Sequence, residues 1–293
     1  MGEKSLVMKM GRYVELTKPK VTLLNLLVGV ACFIVAAFPA INWLNLAVFC
    51  AAGYLACGGC GALNCVYEKD TDKLMQRTSK RAIPTGAVTS KNGLIFGTSL
   101  TTAGISVSCA FFNALTALMM TFGAVFYLIV YTIILKRTSS LNVVIGGLAG
   151  CFAALSGWTA VTNSLSLAPL LISAVDFLWT PGHLWGLAMK KASEYKKAHI
   201  PMLPVLIGLR KTAQITFMFN VATIILSLLL PVLGFTGFLY PVFAVAAGAW
   251  FIFESRKLLV FPSEATGFRV FLASMPYLGV LMLGLMIDKI FLW

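Results

Sequence analysis

The sequence has few charged residues and only two histidines. Charged residues make up 11% of its 293 residues and hydrophobic residues 59%, whereas an average soluble domain is about 25% charged. This balance excludes a soluble globular protein and predicts a polytopic membrane protein. The alternation of apolar and polar residues that marks a membrane β-barrel is also missing, so we expect an all-α fold.

Acidic residues are especially scarce. Asp and Glu number 10 against 23 Lys and Arg, which gives a formal net charge of +13. All but one of the basic residues, Lys289, fall in or beside connections on one side of the predicted spans. By the positive-inside rule, the N-terminus and these connections are cytoplasmic and the C-terminus is outside. Such a one-sided positive field attracts anionic lipid headgroups or anionic substrates, and we expect the lipid bilayer, not nucleic acid, as a partner.

Neither a cleavable signal peptide nor a disulfide framework is expected. Charged residues persist to Lys20, and the apolar run that follows has the length of a membrane span. The seven cysteines lie mostly within apolar runs. Cys57 and Cys60 form a C-x-x-C pattern without a partner pair, so the glycines between them predict close helix packing rather than a redox site.

Apolar runs predict nine transmembrane helices in one bundle. They lie at about 21–38, 43–63, 93–112, 114–135, 141–161, 165–189, 214–234, 237–253 and 268–292. Residues 1–20 are expected to form a cytoplasmic segment and residues 21–293 a single domain. The two longest polar connections, at about 64–92 and 190–211, are expected to cap its cytoplasmic face.

The first cap begins with a polar stretch that follows an apolar run. If the helix continues into this stretch, Asn64, Glu68 and Asp72 lie four residues apart on one face. Their oxygen atoms suit a hard divalent cation such as Mg²⁺, which usually shares its shell with substrate phosphates. Arg77 and Arg81 follow and can hold the phosphate oxygens. The alternative is a solvated, charged loop between two membrane helices.

The second cap contains an acidic residue, Glu194, and two prolines three residues apart that shape the loop on its return to the membrane. Glu194 can complete the metal site. Alternatively, its carboxylate pairs with a neighbouring lysine such as Lys191.

A Trp-rich segment lies in the sixth span. Trp179 and Trp185 flank His183, and Pro181 with its following glycine is expected to interrupt the helix. His183 can ligate a haem iron or hydrogen-bond to a carboxylate, or it can be an interfacial histidine beside an aromatic belt. The role of Asp176, an acid within the same span, stays open.

Five elements of the sequence form a recognisable combination. They are Asn64-x3-Glu68-x3-Asp72 with Met75-x-Arg77-Thr78 and Arg81, Tyr131 to Lys136-Arg137, Trp179-Thr180-Pro181-x-His183, Glu194-Tyr195, and Ile200-Pro201-Met202-Leu203-Pro204-Val205. Together they resemble the protohaem IX farnesyltransferases, or haem O synthases, of the UbiA-type intramembrane prenyltransferase superfamily. The resemblance covers the second to sixth spans and their connections.

The resemblance implies nine helices around a lateral, membrane-facing cavity in the plasma membrane of a prokaryote. It also implies a Mg²⁺-dependent reaction in which farnesyl diphosphate alkylates a vinyl group of haem b, giving haem O and diphosphate. The product would pass to a downstream haem-modifying enzyme or a terminal oxidase assembly.

The resemblance also assigns roles to particular residues. The metal ligands would be Asn64, Glu68, Asp72 and Glu194. The diphosphate-binding residues would be Arg77, Arg81, Lys136, Arg137 and Lys191. The catalytic group would comprise Asn64, Glu68, Asp72, Tyr131 and Lys136. His183 and Trp179 would contact the haem.

Four positions depart from the family pattern. Glu68 stands where Asp is usual, Gln76 where an acid is common, Gly182 where a proline is usual, and Lys191 where wider superfamily members carry an acid. Two other functions stay open. One is a UbiA-type prenyltransferase for a quinone or lipid precursor, and the other is a non-enzymatic haem-binding membrane protein or transporter.

Overall fold

The computed structural model describes residues 3–292, and all regular secondary structure in that range is helical. The helices are α1 (Glu3–Leu16), α2 (Pro19–Ala37), α3 (Trp43–Tyr67), α4 (Lys69–Leu74), α5 (Ser90–Phe111), α6 (Ala114–Val125) continuing as a π-helix (Phe126–Leu135), α7 (Asn142–Thr162), α8 (Leu167–Lys190), α9 (Ala192–Lys197), α10 (Leu203–Val232), α11 (Leu239–Val260) and α12 (Glu264–Leu292). The prediction of an all-α fold is confirmed. Each predicted span overlaps one long helix.

Seven helices within the described range are long and apolar enough to cross a membrane. The chain is therefore an integral, multi-pass membrane protein. The predicted count of nine spans is not confirmed, because α8 and α11 are not among the seven. Both carry polar side chains, such as His183 in α8 and Glu254 in α11, that lower their mean hydropathy.

Small residues let α3 and α5 approach closely. A Cβ atom added at Gly59 would lie 2.5 Å from the Thr101 backbone nitrogen, and one at Gly104 would lie 2.5 Å from the Ala56 nitrogen. Such contacts between backbones require glycine on one side and are typical of membrane helix pairs. All seven cysteines are free thiols, so the glycines around Cys57 serve helix packing, as predicted.

The N-terminus of α11 is capped by an acid from α12. The carboxylate of Asp288 accepts hydrogen bonds from the backbone nitrogens of Leu239 at 2.9 Å and Tyr240 at 3.0 Å, as well as from Gly237. Asp288 is buried, with 1% of its surface exposed. A negative charge at a helix N-terminus complements the helix dipole, so this contact fixes α12 against α11.

We expect Asp288→Ala to lower the midpoint of thermal unfolding in detergent. The substitution leaves three backbone N–H groups without their acceptor, which costs about 1–3 kcal/mol or more. Asp288→Asn keeps one carbonyl oxygen and should lie between the parent and Asp288→Ala. An unchanged midpoint in both variants would contradict the capping role.

The two predicted caps meet at one end of the bundle. Met75 from the first cap and Tyr195 and Ile200 from the second share a buried hydrophobic cluster with Val143 at the start of α7. The ion pair between Glu68 and Lys136 joins two connections at the same end. We call this end, formed by the connections 68–89, 136–141 and 191–202, the polar end of the bundle.

Candidate active site

The three predicted oxygen ligands lie at the polar end, on a helix that is not continuous. The α3 helix ends at Tyr67, and Glu68 forms the junction to the short α4, so the expectation of an unbroken helix is wrong. The backbone hydrogen bonds from Glu68 to Asn64 and from Asp72 to Glu68 nevertheless keep the spacing of four residues. Asn64, Glu68 and Asp72 are each at most 5% exposed.

A π-helix brings a second element against this acidic face. Residues 126–135 have hydrogen bonds five residues apart, a rare geometry that often marks functional sites. Within it, the Thr132 hydroxyl donates to the carbonyl of Tyr127 at 2.7 Å and accepts from the Asn64 amide at 2.9 Å. The wider turn of the π-helix therefore orients the side chains of Thr132 and Lys136 towards α3.

Each acid of this face has a cationic partner. Lys136 forms an ion pair with Glu68, whose other contact is the Asn64 amide at 2.9 Å. Arg81 donates to Asp72 at 2.8 Å. The structure thus brings Lys136 and Arg81 to the acidic residues, Lys136 from a connection far away in sequence and Arg81 from the same connection as Asp72.

Lys18 is a site residue that the sequence analysis did not identify. Its ammonium donates to the side-chain oxygen of Asn64 and lies 3.4 Å from the Tyr127 hydroxyl. Lys18 adopts the left-handed backbone conformation, with φ of 49°, between α1 and α2. In the sequence it looked like one of the five basic residues before the first span, and only its position before a proline distinguished it.

The charges of this site stabilise one another. Burial raises the pKa of Glu68, but Lys136 and Lys18 outweigh burial and lower it to about 2. Burial likewise lowers the pKa of Lys136, and the Glu68 carboxylate reverses this effect, so that its pKa is raised. For Lys18, burial dominates and lowers the pKa. Glu68 therefore stays ionised throughout the physiological pH range.

Glu194 lies at the same end but is paired locally. Lys191 donates to its Oε1 atom at 2.7 Å, the contact that the sequence analysis gave as the alternative to metal binding. Lys191 lowers the pKa of Glu194, and Arg77 contributes through its backbone and its charge. Among residues 3–292, no three His, Cys, Asp or Glu side chains are grouped closely enough to hold a metal. Glu68, Asp72 and Glu194 therefore do not form a three-carboxylate site.

The remaining predicted site residues at this end lie at its rim. Arg77 and Arg137 are exposed, and the Arg137 guanidinium donates to the carbonyl of Tyr67 at 3.1 Å. The Tyr131 ring lies 5.6 Å from the Lys136 ammonium and stacks on Tyr127 with ring centroids 6.0 Å apart. Tyr131 and Tyr127 thus present an aromatic surface beside the charged groups.

The Trp-rich segment does not interrupt its helix. The α8 helix is continuous through Pro181, contrary to the expected break. Trp179 is buried, and its ring stacks on His183 with centroids 4.3 Å apart. The Nδ1 atom of His183 lies 2.7 Å from the Ser274 hydroxyl of α12. His183 is therefore packed against α12 but stays partly exposed.

Gly182 is explained by its contact with α10. A Cβ atom there would lie 1.9 Å from the Oδ1 atom of Asn220, whose amide nitrogen donates to Ser255 at 2.9 Å. Asn220 is fully buried, so its side chain has little room to move. Any residue larger than glycine must displace this amide, which accounts for the departure from proline at position 182.

We expect Gly182→Ala to destabilise the protein, because overpacking a buried contact costs about 1–3 kcal/mol. The double variant Gly182→Ala with Asn220→Ala removes the obstructing amide and should regain part of the loss. Thermal unfolding of the single and double variants tests this. Equal destabilisation in the two backgrounds would contradict the proposed clash.

The chain matches the model of a known family over most of its length. The UbiA prenyltransferase family model matches residues 24–278. A protein of Leifsonia xyli subsp. xyli that is 37% identical carries the name protoheme IX farnesyltransferase, and the match covers 99% of this chain and 95% of that relative. A relative of the same name from Gloeobacter violaceus is 38% identical over 96% of this chain and 92% of its own.

Solved structures share the fold. A UbiA homologue from Archaeoglobus fulgidus, described as bound to DMAPP and Mg²⁺, is 15% identical with a TM-score of 0.78 over 96% of this chain and all of that one. A digeranylgeranylglyceryl phosphate synthase is 18% identical with a TM-score of 0.76, over 97% of this chain and 99% of that one. At these identities, the likeness concerns the architecture alone.

Proposed function

Because the chain belongs to the UbiA prenyltransferase family and to its branch of protoheme IX farnesyltransferases, we propose that it farnesylates haem b. The donor is farnesyl diphosphate, the acceptor is a vinyl group of haem b, and the products are haem O and diphosphate. The observation that carries the proposal is the cluster of Asn64, Glu68 and Asp72 with basic side chains from three separate connections.

The donor set fits Mg²⁺. Glu68 and Asp72 supply buried carboxylates and Asn64 an amide oxygen, which are hard ligands of the kind Mg²⁺ prefers. A Mg²⁺ site usually takes one or two carboxylates and is completed by water and substrate phosphates, so it does not require a third carboxylate from Glu194. Bound there, the metal would neutralise the negative charge that develops on the leaving diphosphate.

The basic residues provide the remaining charge for the leaving group. Lys136 and Arg81 are paired with acids, and Lys18 with the Asn64 oxygen. We propose that these cations turn to the diphosphate oxygens when the acids bind metal. Arg77, Arg137 and Lys191, which lie around the polar end, would attract the diphosphate from solution.

The reaction breaks the bond between the first carbon of the farnesyl chain and the diphosphate oxygen. The vinyl group then attacks this allylic carbon, a carbon–carbon bond forms, and positive charge moves to the carbon next to the porphyrin ring. Water adds to that carbon and loses a proton, which gives the hydroxyethylfarnesyl substituent. We propose that the rings of Tyr127 and Tyr131, which lie beside the charged groups, stabilise the allylic cation through their π-faces.

The acceptor side of the site is proposed to lie at His183. It stands on α8, the helix that leads into the second cap, and is stacked on Trp179. An imidazole and an indole ring are suited to a haem, through the iron and the flat porphyrin respectively. We propose that the polar end faces the cytoplasm, because all basic residues except Lys289 fall in or beside connections on its side of the predicted spans. A lateral cavity for the farnesyl chain stays a prediction.

The acceptor is tested with purified protein, farnesyl diphosphate and Mg²⁺. Haem b and an aromatic quinone precursor are supplied in separate reactions, and the products are identified by mass. We expect a prenylated product only with haem b. Prenylation of the quinone precursor alone would assign the chain to the other branch of the family, and haem binding without any prenylation would indicate a haem-binding protein or transporter.

A further inference from the structure

The histidine proposed to contact haem belongs to a short chain of hydrogen bonds on α12. The His183 Nδ1 atom lies 2.7 Å from the hydroxyl oxygen of Ser274, and that hydroxyl donates to the carbonyl of Phe271 at 2.8 Å. Ser274 is fully buried. The indole nitrogen of Trp179 donates to the backbone carbonyl of the same serine at 2.8 Å.

The imidazole ring is also packed against two aromatic rings. The Trp179 ring stacks on it with centroids 4.3 Å apart, and the Phe271 ring is tilted against it with centroids 4.5 Å apart. Rotation of the His183 side chain would break these ring contacts and the bond to Ser274. The ring orientation is therefore set before any ligand arrives.

The hydrogen bonds of Ser274 favour one tautomer of His183. A serine hydroxyl has one proton, and the Ser274 hydroxyl lies 2.8 Å from the Phe271 carbonyl, within hydrogen-bond distance. When the hydroxyl donates to that carbonyl, its oxygen accepts from His183, whose proton then lies on Nδ1. The other tautomer would turn the serine proton to Nδ1 and remove the hydrogen bond from Ser274 to the Phe271 carbonyl.

We propose that Ser274 is a positioning residue that fixes His183 with its proton on Nδ1, leaving the Nε2 lone pair for the iron of the haem substrate. The proposal rests on the proposed function, and it adds a residue 91 positions away that no motif contains. A neutral imidazole ligates metal through the unprotonated nitrogen, and a hydrogen bond at the other nitrogen fixes the tautomer.

The tautomer can be read directly because the chain contains two histidines. His199 is exposed with φ of 53°, a conformation that asparagine tolerates, so His199→Asn leaves His183 as the single histidine. In this background, nitrogen NMR of ¹⁵N-histidine-labelled protein in detergent, without haem, should show a protonated Nδ1 and an unprotonated Nε2. A protonated Nε2 would overturn the proposal.

Two serine variants separate positioning from packing. Ser274→Ala should remove the preference of His183 for one tautomer. It should also weaken the affinity for haem b, measured by absorption spectroscopy, about 10-fold or more. Ser173→Ala is the matched control, because Ser173 is also buried and donates to a carbonyl three residues back, Leu170 at 2.9 Å, but does not contact His183. It should leave both readouts unchanged. If Ser274→Ala changes neither readout, Ser274 has no positioning role.

The outcomes distinguish this proposal from the function on which it rests. Suppose that His183→Ala loses histidine-ligated haem, but Ser274→Ala keeps both haem binding and the His183 tautomer. This result overturns the positioning role of Ser274 and leaves the proposed farnesyl transfer intact. The expected tautomer in a protein that makes no haem O rejects the function instead. If Ser274→Ala does not fold, Ser274→Cys replaces it. The His183 tautomer in the His199→Asn protein still tests the positioning role of Ser274.

Discussion

Asp72→Asn is expected to lower kcat for farnesyl transfer about 100-fold or more, because it removes one of two buried negative charges proposed to hold Mg²⁺ against the diphosphate. The substituted amide has nearly the same shape as the carboxylate. It leaves Arg81 without its ion-pair partner, so the loss combines weaker metal binding with a misplaced cation. Steady-state formation of haem O, measured over a range of Mg²⁺ concentrations, gives the effect.

Asp70→Asn is the matched control for this variant. Asp70 lies on the same short helix, α4, and loses the same charge, but it is exposed. Its kcat should stay within about twofold of the parent, since surface substitutions away from special features have small effects. Equal losses in the two variants would mean that overall charge, rather than the buried site, determines activity. Circular dichroism and thermal unfolding confirm that both variants are folded.

Lys18→Met is expected to lower kcat/KM for farnesyl diphosphate about 10–100-fold, the effect of losing one hydrogen bond to a charged group. Lys18 contacts the Asn64 side chain and lies beside Tyr127, so its ammonium is already part of the proposed site. Methionine keeps the length and the apolar stem of lysine but removes the charge. Initial rates at limiting farnesyl diphosphate measure this effect.

Lys20→Met provides the control for Lys18→Met. Lys20 is two residues further along, in the first turn of α2, and is exposed. The Lys20→Met substitution removes one positive charge from the same end of the bundle, as Lys18→Met does. If both lysines mattered equally, the basic residues would act only as a diffuse attractive field, and the direct role of Lys18 would be wrong.

Much of the architecture follows from local patterns in the sequence. Long apolar runs gave the helices, because the bilayer requires each span to satisfy its own backbone hydrogen bonds. The acidic residues of the first cap were identified by their spacing of four, which the structure keeps across the helix break at Glu68. Arg81 and Lys136 form ion pairs with these acids, and their role in binding diphosphate stays a prediction.

What sequence patterns missed depends on contacts between distant segments. Lys18 and Asn64 are 46 positions apart, and nothing local separates Lys18 from a lysine that sets membrane topology. The π-helical turn before Lys136 has no signature in hydrophobic periodicity, because both α- and π-helices there would be apolar on all sides. Pro181 looked like a helix break, yet α8 continues through it, since packed neighbours support membrane helices across proline.

The most direct test of the account is the mass of the haem recovered after purified protein is incubated with haem b, farnesyl diphosphate and Mg²⁺. The parent protein is expected to convert haem b to its hydroxyethylfarnesyl derivative. The conversion should stop when Mg²⁺ is chelated and fall about 100-fold or more in Asp72→Asn. Unmodified haem b from the parent protein, or equal conversion by the parent and Asp72→Asn, would contradict it.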